Sequence, residues 1–302
     1  MKERLSKIRD YQLPLFFTIA FVITWTAQIT VYLYAYNHNL KISNEMLFFH
    51  FRDLLRGNII AEFAPYLLLF IFSFGPTIAG ILVTILFKGR DGINDLFTRL
   101  VKIRIPRRWV MLILAVPIAW NVICLVLGYA IAGFQPVEFD FLVPVASFAP
   151  FLLFMVVFTG LSEEIGWRGY ALPELQTKFT AEKSSWILGV MWGLWHIPSV
   201  LLTPFLQNEL NTVSVVSLLA GLTFGIIGWT IVITWIYNNT QSLFWIIVLH
   251  GLSNTIQSYL LLSSNNQPAM SIWIILPWAL AIFLLKKFGG KTLLTTPIVK
   301  LQ

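Results

Sequence analysis

The stretch 109–133 reads WVMLILAVPIAWNVICLVLGYAIAG and contains no Asp, Glu, Lys or Arg. An apolar run of this length matches the roughly 20 residues with which an α-helix crosses the hydrocarbon core of a bilayer. The rest of the chain shares this character, since 57% of its 302 residues are hydrophobic, 12% are charged and the mean hydropathy is +0.76. Soluble domains carry about 25% charged residues. The composition therefore excludes a soluble globule and a disordered chain.

Further apolar segments flank this stretch on both sides, so the sequence predicts an all-α polytopic membrane protein with about eight transmembrane helices. The predicted segments are 11–36, 62–87, 109–133, 142–172, 184–204, 213–237, 242–263 and 268–285. They follow one another closely, which favours a single integral membrane domain over residues 1–302 with a motif-bearing core at about 142–263. The first segment is too long for a signal-peptide core and is expected to be a retained anchor. The single cysteine, Cys124, excludes an internal disulfide.

The positive charges predict the orientation of these segments in the membrane. If successive spans cross the membrane in opposite directions, nearly all of the 21 Lys and Arg fall in connecting or terminal segments on the same side of the membrane. The exceptions are Lys41, Arg52, Arg56 and Arg168. Cytoplasmic loops of membrane proteins carry an excess of Lys and Arg, so both termini are expected to be cytoplasmic. This bias also accounts for the net charge of +7 without a nucleic-acid partner.

The basic loop 88–108 is predicted to form an amphipathic helix at the membrane surface. Its apolar residues would face lipid, and its basic residues would face the headgroups. The apolar set is Ile93, Leu96, Leu100 and Val101. A basic loop that only sets the topology is an equally good interpretation of the same residues.

Few ionisable side chains lie at membrane depth in the predicted spans, and they are Glu163, Glu164, Arg168, His196 and His250, whereas Glu62 lies at the end of a span. A charge at the centre of a transmembrane helix costs on the order of 2.5–3.5 kcal/mol. Such groups avoid lipid, and we expect them to face the interior of the helix bundle or a water-filled cavity.

Helical spacing sorts the acidic residues into two roles. Glu164 and Arg168 are four residues apart, so they share a helix face and are expected to form an ion pair. Glu163 is rotated by about 100° from Glu164 and points to another neighbour. We therefore expect Glu163 to be the better general base, with an affinity for protons that burial increases.

The remaining polar groups repeat the same spacing on two other segments. His196 lies four residues after Trp192, and Asn254 lies four residues after His250, so the second pair presents an imidazole and an amide on one face. Gly251 permits close approach of a neighbouring helix. Taken singly, each pair is explained by an ion pair or a hydrogen bond between helices. Together they supply a base, two imidazoles and an amide donor, which are the groups that a hydrolytic site uses.

These motifs resemble those of the CPBP intramembrane proteases, the CAAX-protease and bacteriocin-processing group that includes the Ras-converting endopeptidase. The motifs of that family are Glu-Glu-x-x-x-Arg, aromatic-x-x-x-His and His-x-x-x-Asn. In this chain they correspond, in the same order, to Glu163, Glu164 and Arg168, to Trp192 and His196, and to His250 and Asn254. The family more often has Phe at the position of Trp192.

The resemblance implies an intramembrane peptidase with the following roles. Glu163 and His196 would activate the attacking water, while His250 and Asn254 would stabilise the oxyanion or hold the water. Glu164, Arg168 and Trp192 would support the site and position the peptide. Both a glutamate protease and a metalloprotease fit the resemblance. No metal cofactor is favoured, although Glu163, His196 and His250 are the expected ligands if zinc is bound.

The expected partners are membrane lipid and a peptide or protein substrate, membrane-associated and either prenylated or of the leader type, which enters from the cytoplasmic side. The expected location is a bacterial plasma membrane, with the endoplasmic reticulum as the alternative. A catalytically silent membrane scaffold of the same fold is one alternative function. A proton-coupled transporter is another, but it predicts broken helices in two related halves, and the sequence has one such break, at Gly75-Pro76.

Overall fold

A computed structural model of the chain describes residues 11–39, 73–135, 137–141, 143–206 and 211–295, together with 51, 53, 56, 57 and 68. Within these residues the regular elements are helices and no strand occurs, which confirms the all-α prediction. The helices are α1 (Gln12–Asn37), α2 (Gly75–Leu100), α3 (Arg107–Ile131), α4 (Val145–Gln176), α5 (Ala181–Trp195), α6 (Ile197–Leu206), α7 (Thr212–Thr240), α8 (Leu243–Leu260) and α9 (Gln267–Phe288).

Six of the described helices, α1, α3, α4, α7, α8 and α9, are long and apolar enough to cross a membrane. The second and fifth predicted spans correspond to α2 and to the α5–α6 pair. Helix α2 becomes strongly charged beyond Lys88, and α5 ends at Trp195, shortly before Pro198, so neither is a long apolar helix. Most of the predicted segment before Gly75 lies outside the described residues. The count of eight spans and the cytoplasmic termini remain predictions.

Helix α2 changes direction at Gly89, whose φ of 59° lies in the left-handed region that favours glycine. Beyond this kink the chain is helical to Leu100, so the helix predicted for the loop 88–108 forms in its first part, while residues 101–106 are not helical. The predicted orientation of Leu96 is wrong, because its side chain is buried in the protein core instead of facing lipid. The absence of a side chain at Gly169 makes room for it, since a Cβ there would lie 2.8 Å from the Leu96 Cδ1 atom.

Helix α4 is continuous, but it is not α-helical throughout. The short α-helical piece Ser162–Glu164 is flanked by two π-helical segments, Val156–Leu161 and Ile165–Ala171. π-Helical turns are rare and occur frequently at functional sites. The two adjacent glutamates therefore lie at the point where the backbone of this helix departs most from regular geometry.

Two glycines bring neighbouring helices into backbone contact with α4. A side chain at Gly166 would clash with the backbone of Pro76 in α2, and one at Gly251 in α8 would clash with the backbone of Val156. The close approach predicted for Gly251 is therefore confirmed. These contacts fix α2 and α8 against the part of α4 that carries the glutamates.

Candidate active site

The centre of the site is the buried carboxylate of Glu164. The Arg168 Nη1 atom donates to both of its oxygens, at 2.9 and 3.0 Å, and both side chains are fully buried. This confirms the predicted ion pair. The His250 Nδ1 atom lies 2.7 Å from Glu164 Oε1, so α8 supplies a second donor to the same carboxylate. Buried ion pairs need such additional hydrogen bonds because both charges have lost their hydration.

The guanidinium of Arg168 has partners on two other helices. Its carbon Cζ lies 4.4 Å from the centroid of the Trp192 ring, which is a cation–π contact with α5. Its Nη2 atom is 3.4 Å from the Thr230 hydroxyl of α7. Arg168 therefore joins α4, α5 and α7 at the level of the glutamates.

Glu163 points in a different direction from Glu164, as its position in the helix predicts. The indole of Trp192 donates to Glu163 Oε2 at 2.6 Å, and the indole of Trp167 donates to the same oxygen at 3.3 Å. Within the described part of the chain, Glu163 Oε1 has no hydrogen-bond partner. Trp167 was missed by the sequence reasoning, although its spacing of four residues from Glu163 was a usable signal.

His196 lies at the C-terminal end of α5, where its ring is fixed by its own helix. Its Nδ1 atom is 2.8 Å from the carbonyl oxygen of Trp192. A carbonyl only accepts hydrogen bonds, so this contact assigns the proton to Nδ1 and leaves a lone pair on Nε2. The side chain is half-buried, and its Nε2 atom has no partner among the described residues.

One tryptophan connects all of these groups. The Trp192 side chain donates to Glu163 and lies under Arg168, while its backbone carbonyl accepts from His196. Its ring also meets the His250 ring edge to face, with centroids 5.6 Å apart. The motif spacing alone indicated only the relation between Trp192 and His196, whereas the fold places Trp192 at the junction of the whole site.

Helix α8 presents His250 and, one turn later, Asn254, as predicted. His250 uses Nδ1 for Glu164, so its Nε2 atom is unpaired within the described chain. The Asn254 side chain is half-buried, and its amide also has no hydrogen-bond partner among the residues described. The site therefore has four polar groups available to a ligand: Glu163 Oε1, His196 Nε2, His250 Nε2 and the Asn254 amide.

In the described part of the chain no three His, Cys, Asp or Glu side chains are arranged to hold a metal ion. The alternative zinc ligands Glu163, His196 and His250 are thus not gathered as a ligand set, and His250 directs one ring nitrogen at Glu164 instead. These groups are suited to proton transfer, with a carboxylate and an imidazole as bases, and to hydrogen-bond donation from an amide.

Comparison with known proteins covers the part of the chain that carries this site. A family model described as type II CAAX prenyl endopeptidase Rce1-like matches residues 145–256, from the start of α4 into α8. The CAAX prenyl protease 2 of Methanococcus maripaludis is 33% identical over 124 residues, which are 40% of this chain and 44% of that protein. The chain thus matches less than half of the length of that relative. The matched segment 145–256 includes every residue of the three motifs, and it is similar to CAAX-type proteases.

Proposed function

We propose that this protein is an intramembrane endopeptidase that hydrolyses a peptide bond of a membrane-associated CAAX-type substrate. The observation that carries the proposal is the pair of unpaired basic atoms, Glu163 Oε1 and His196 Nε2, beside the fully buried Glu164–Arg168 pair. The match to the CAAX prenyl endopeptidase family model and the similarity to the CAAX prenyl protease 2 of Methanococcus maripaludis support the same reaction class.

In the proposed reaction, Glu163 Oε1 and His196 Nε2 hold the attacking water. Glu163 takes a proton from the water as the oxygen forms its bond to the scissile carbonyl carbon. The carbonyl oxygen becomes an oxyanion and accepts hydrogen bonds from the Asn254 amide and from His250 Nε2. His250 donates from Nε2 when its ring is protonated, with the positive charge beside the Glu164 carboxylate. When the C–N bond breaks, the proton moves from Glu163 to the leaving amine.

The buried residues of the site have a positioning role in this proposal. Arg168 and Glu164 hold the Nδ1 side of the His250 ring, and this leaves Nε2 for the substrate. Trp192 holds Glu163 Oε2, so the other carboxylate oxygen is the one that faces the water. Preorganised groups of this kind avoid the cost of reorganisation during the reaction.

We also propose that the substrate enters from the cytoplasmic side of a bacterial plasma membrane. The asymmetric distribution of Lys and Arg and the six apolar helices support a membrane location with this orientation. The prenyl group of a CAAX substrate, or the apolar part of a leader peptide, would keep the substrate in the lipid next to the site.

The test is cleavage of an internally quenched, farnesylated CAAX peptide by the purified protein in lipid nanodiscs. The unprenylated peptide and a leader-type peptide are run beside it. His196→Ala is expected to lower kcat on the order of 10²- to 10⁴-fold, the range of general acid–base catalysis. The matched control is His38→Ala, because His38 makes the same contact to a carbonyl four residues earlier, at 2.8 Å from Tyr34, but is exposed at the end of α1.

Absence of turnover on every peptide, or full turnover in His196→Ala, would overturn this proposal and favour a catalytically silent scaffold. A zinc chelator tests the metal-free form of the mechanism. Turnover is expected to change by less than about twofold in the chelator, because the proposed base acts on water directly. Loss of turnover that added zinc restores would instead make His196 and His250 metal ligands.

A further inference from the structure

Arg99 lies outside the three motifs, on the basic helical segment that follows Gly89. Its side chain is only 14% exposed, so the prediction that the basic residues of 88–108 face the headgroups is wrong for this residue. Its Nη1 atom donates to the Gly169 carbonyl at 2.9 Å and to the Tyr237 hydroxyl at 2.5 Å. Its Nη2 atom forms an ion pair with Asp95 at 2.7 Å.

The Gly169 carbonyl cannot accept the backbone hydrogen bond of a regular α-helix. In a regular α-helix a carbonyl accepts from the amide four residues later. That residue is Pro173, which has no N–H, and Gly169 itself lies in the π-helical segment Ile165–Ala171. The Arg99 guanidinium donates to this carbonyl from a different helical segment, where the α-helical amide donor is absent.

The Gly169 carbonyl, to which Arg99 donates, is close in sequence to the buried ion pair of the site. Gly169 directly follows Arg168, which donates to Glu164, and Glu164 in turn accepts from His250. We propose that Arg99 is a positioning residue of the active site, which fixes the π-helical turn from which Arg168 reaches Glu164. This inference rests on the proposed function, because Arg99 acts through Gly169 and does not touch the reacting groups.

The chain around Arg99 is also attached to the other helices of the site. The carbonyl of Lys102 accepts from the Ser242 hydroxyl at 2.6 Å, and the carbonyl of Ile103 accepts from the Trp245 indole at 2.7 Å. Both donors lie at the start of α8, which carries His250 further along. These contacts remain when the Arg99 side chain is removed, so a variant at this position is expected to fold.

The kinetic test uses Arg99→Ala and Arg99→Lys in nanodiscs, with Arg104→Ala as the control at an exposed basic residue of the same region. Arg99→Ala is expected to lower kcat on the order of 10- to 100-fold with KM within about twofold, because a displaced catalytic group affects the chemical step. Arg99→Lys keeps a charged donor and is expected to recover most of kcat. A purely structural role would instead lower the fraction of folded protein and leave kcat per folded molecule unchanged.

A second measurement, hydrogen–deuterium exchange, does not depend on turnover. The amides of residues 165–172 are expected to exchange about tenfold faster in Arg99→Ala than in the wild type or in Arg104→Ala, because the turn opens more readily. Faster exchange in Arg99→Ala, together with a wild type that cleaves none of the peptides, would support the Arg99–Gly169 contact and overturn the proposed function. Unchanged exchange, or an active wild type with kcat preserved in Arg99→Ala, would overturn the positioning role.

Discussion

Glu163 and Glu164 are adjacent in sequence, yet their carboxylates have opposite surroundings. Both oxygens of Glu164 accept hydrogen bonds, from Arg168 and His250, and the side chain is fully buried. Glu163 accepts two indole N–H groups on one oxygen and keeps the other unpaired. We refer to Glu164, Arg168 and His250 as the paired half of the site, and to Glu163, His196 and Asn254 as the open half.

The difference between the halves separates groups that mainly hold the site together from groups that mainly react, and His250 contributes to both because its Nδ1 atom binds Glu164 while its Nε2 atom is left for the substrate. A buried charge that loses its partner is strongly destabilising, so changes in the paired half are expected to reduce stability. A polar group with an unpaired atom makes fewer contacts that hold the fold, and that atom can bind the reacting groups. Changes in the open half are therefore expected to reduce kcat and to leave the melting temperature nearly unchanged. Each substitution below tests one side of this comparison.

The largest effect on catalysis is expected for Glu163→Gln in the open half. The amide oxygen can still accept from the two indoles, but the amide is not a base, so kcat is expected to fall about 10³- to 10⁴-fold. The melting temperature should stay close to that of the wild type. Steady-state kinetics and thermal unfolding measure both quantities, and Glu138→Gln, at an exposed glutamate, is the control. A melting temperature well below that of the wild type would instead place Glu163 in the paired half.

The largest effect on stability is expected for Glu164→Ala in the paired half. The substitution leaves Arg168 charged and buried without its carboxylate partner, which typically costs about 3–5 kcal/mol in the free energy of unfolding. The double variant Glu164→Ala/Arg168→Met removes both charges and should regain much of that stability. Denaturant unfolding in detergent measures the difference. A double variant no more stable than Glu164→Ala would contradict the pairing argument.

A smaller effect is expected for Asn254→Ala, which removes a donor from the open half. Loss of one oxyanion donor typically lowers kcat about 10²- to 10³-fold, and we expect the lower end because His250 still donates. KM should change little, since the hydrogen bond forms in the transition state. Asn94→Ala, at an exposed asparagine of α2, is the matched control. An increase in KM at constant kcat would instead assign Asn254 to binding of the ground-state substrate.

The smallest effect is expected for Trp192→Phe at the junction of the two halves. The ring that packs on Arg168 and His250 is largely kept, whereas the N–H donated to Glu163 is lost. We expect kcat to fall about tenfold, as for the loss of one positioning hydrogen bond. Trp278→Phe is the control, because it removes an indole hydrogen bond of 2.7 Å to the Phe224 carbonyl far from the motifs. Equal effects in the two variants would argue against a specific role for Trp192.

The parts of the site that follow from local helix geometry were predictable. Glu164 and Arg168 pair because residues four apart share a helix face, and the same rule placed Asn254 beyond His250. The rule also applies to Glu163 and Trp167, whose indole donates to the carboxylate, although the sequence analysis did not predict this pair. Regular helical spacing is therefore sufficient to predict contacts between side chains of one helix.

Contacts between helices could not be predicted in this way. Apolar segments of nearly uniform composition do not indicate which face of one helix meets which face of another. The same spacing that predicted a lipid-facing Leu96 and a headgroup-facing Arg99 is compatible with both residues turned toward the protein. The π-helical turns of α4 add a change of register that regular periodicity does not reveal.

The sequence by itself determined that this protein is helical and membrane-embedded. It identified the polar residues that cannot face lipid, because placing a charged side chain in hydrocarbon is costly in any fold. It also determined the Glu164–Arg168 pair, since that contact needs only one helix. Only the tertiary structure decided that His250 binds Glu164, that Trp192 binds Glu163, and that Arg99 holds the Gly169 carbonyl. Each of these contacts joins residues of different helices, and it forms only when close packing at residues such as Gly166 and Gly251 fixes how the helices meet.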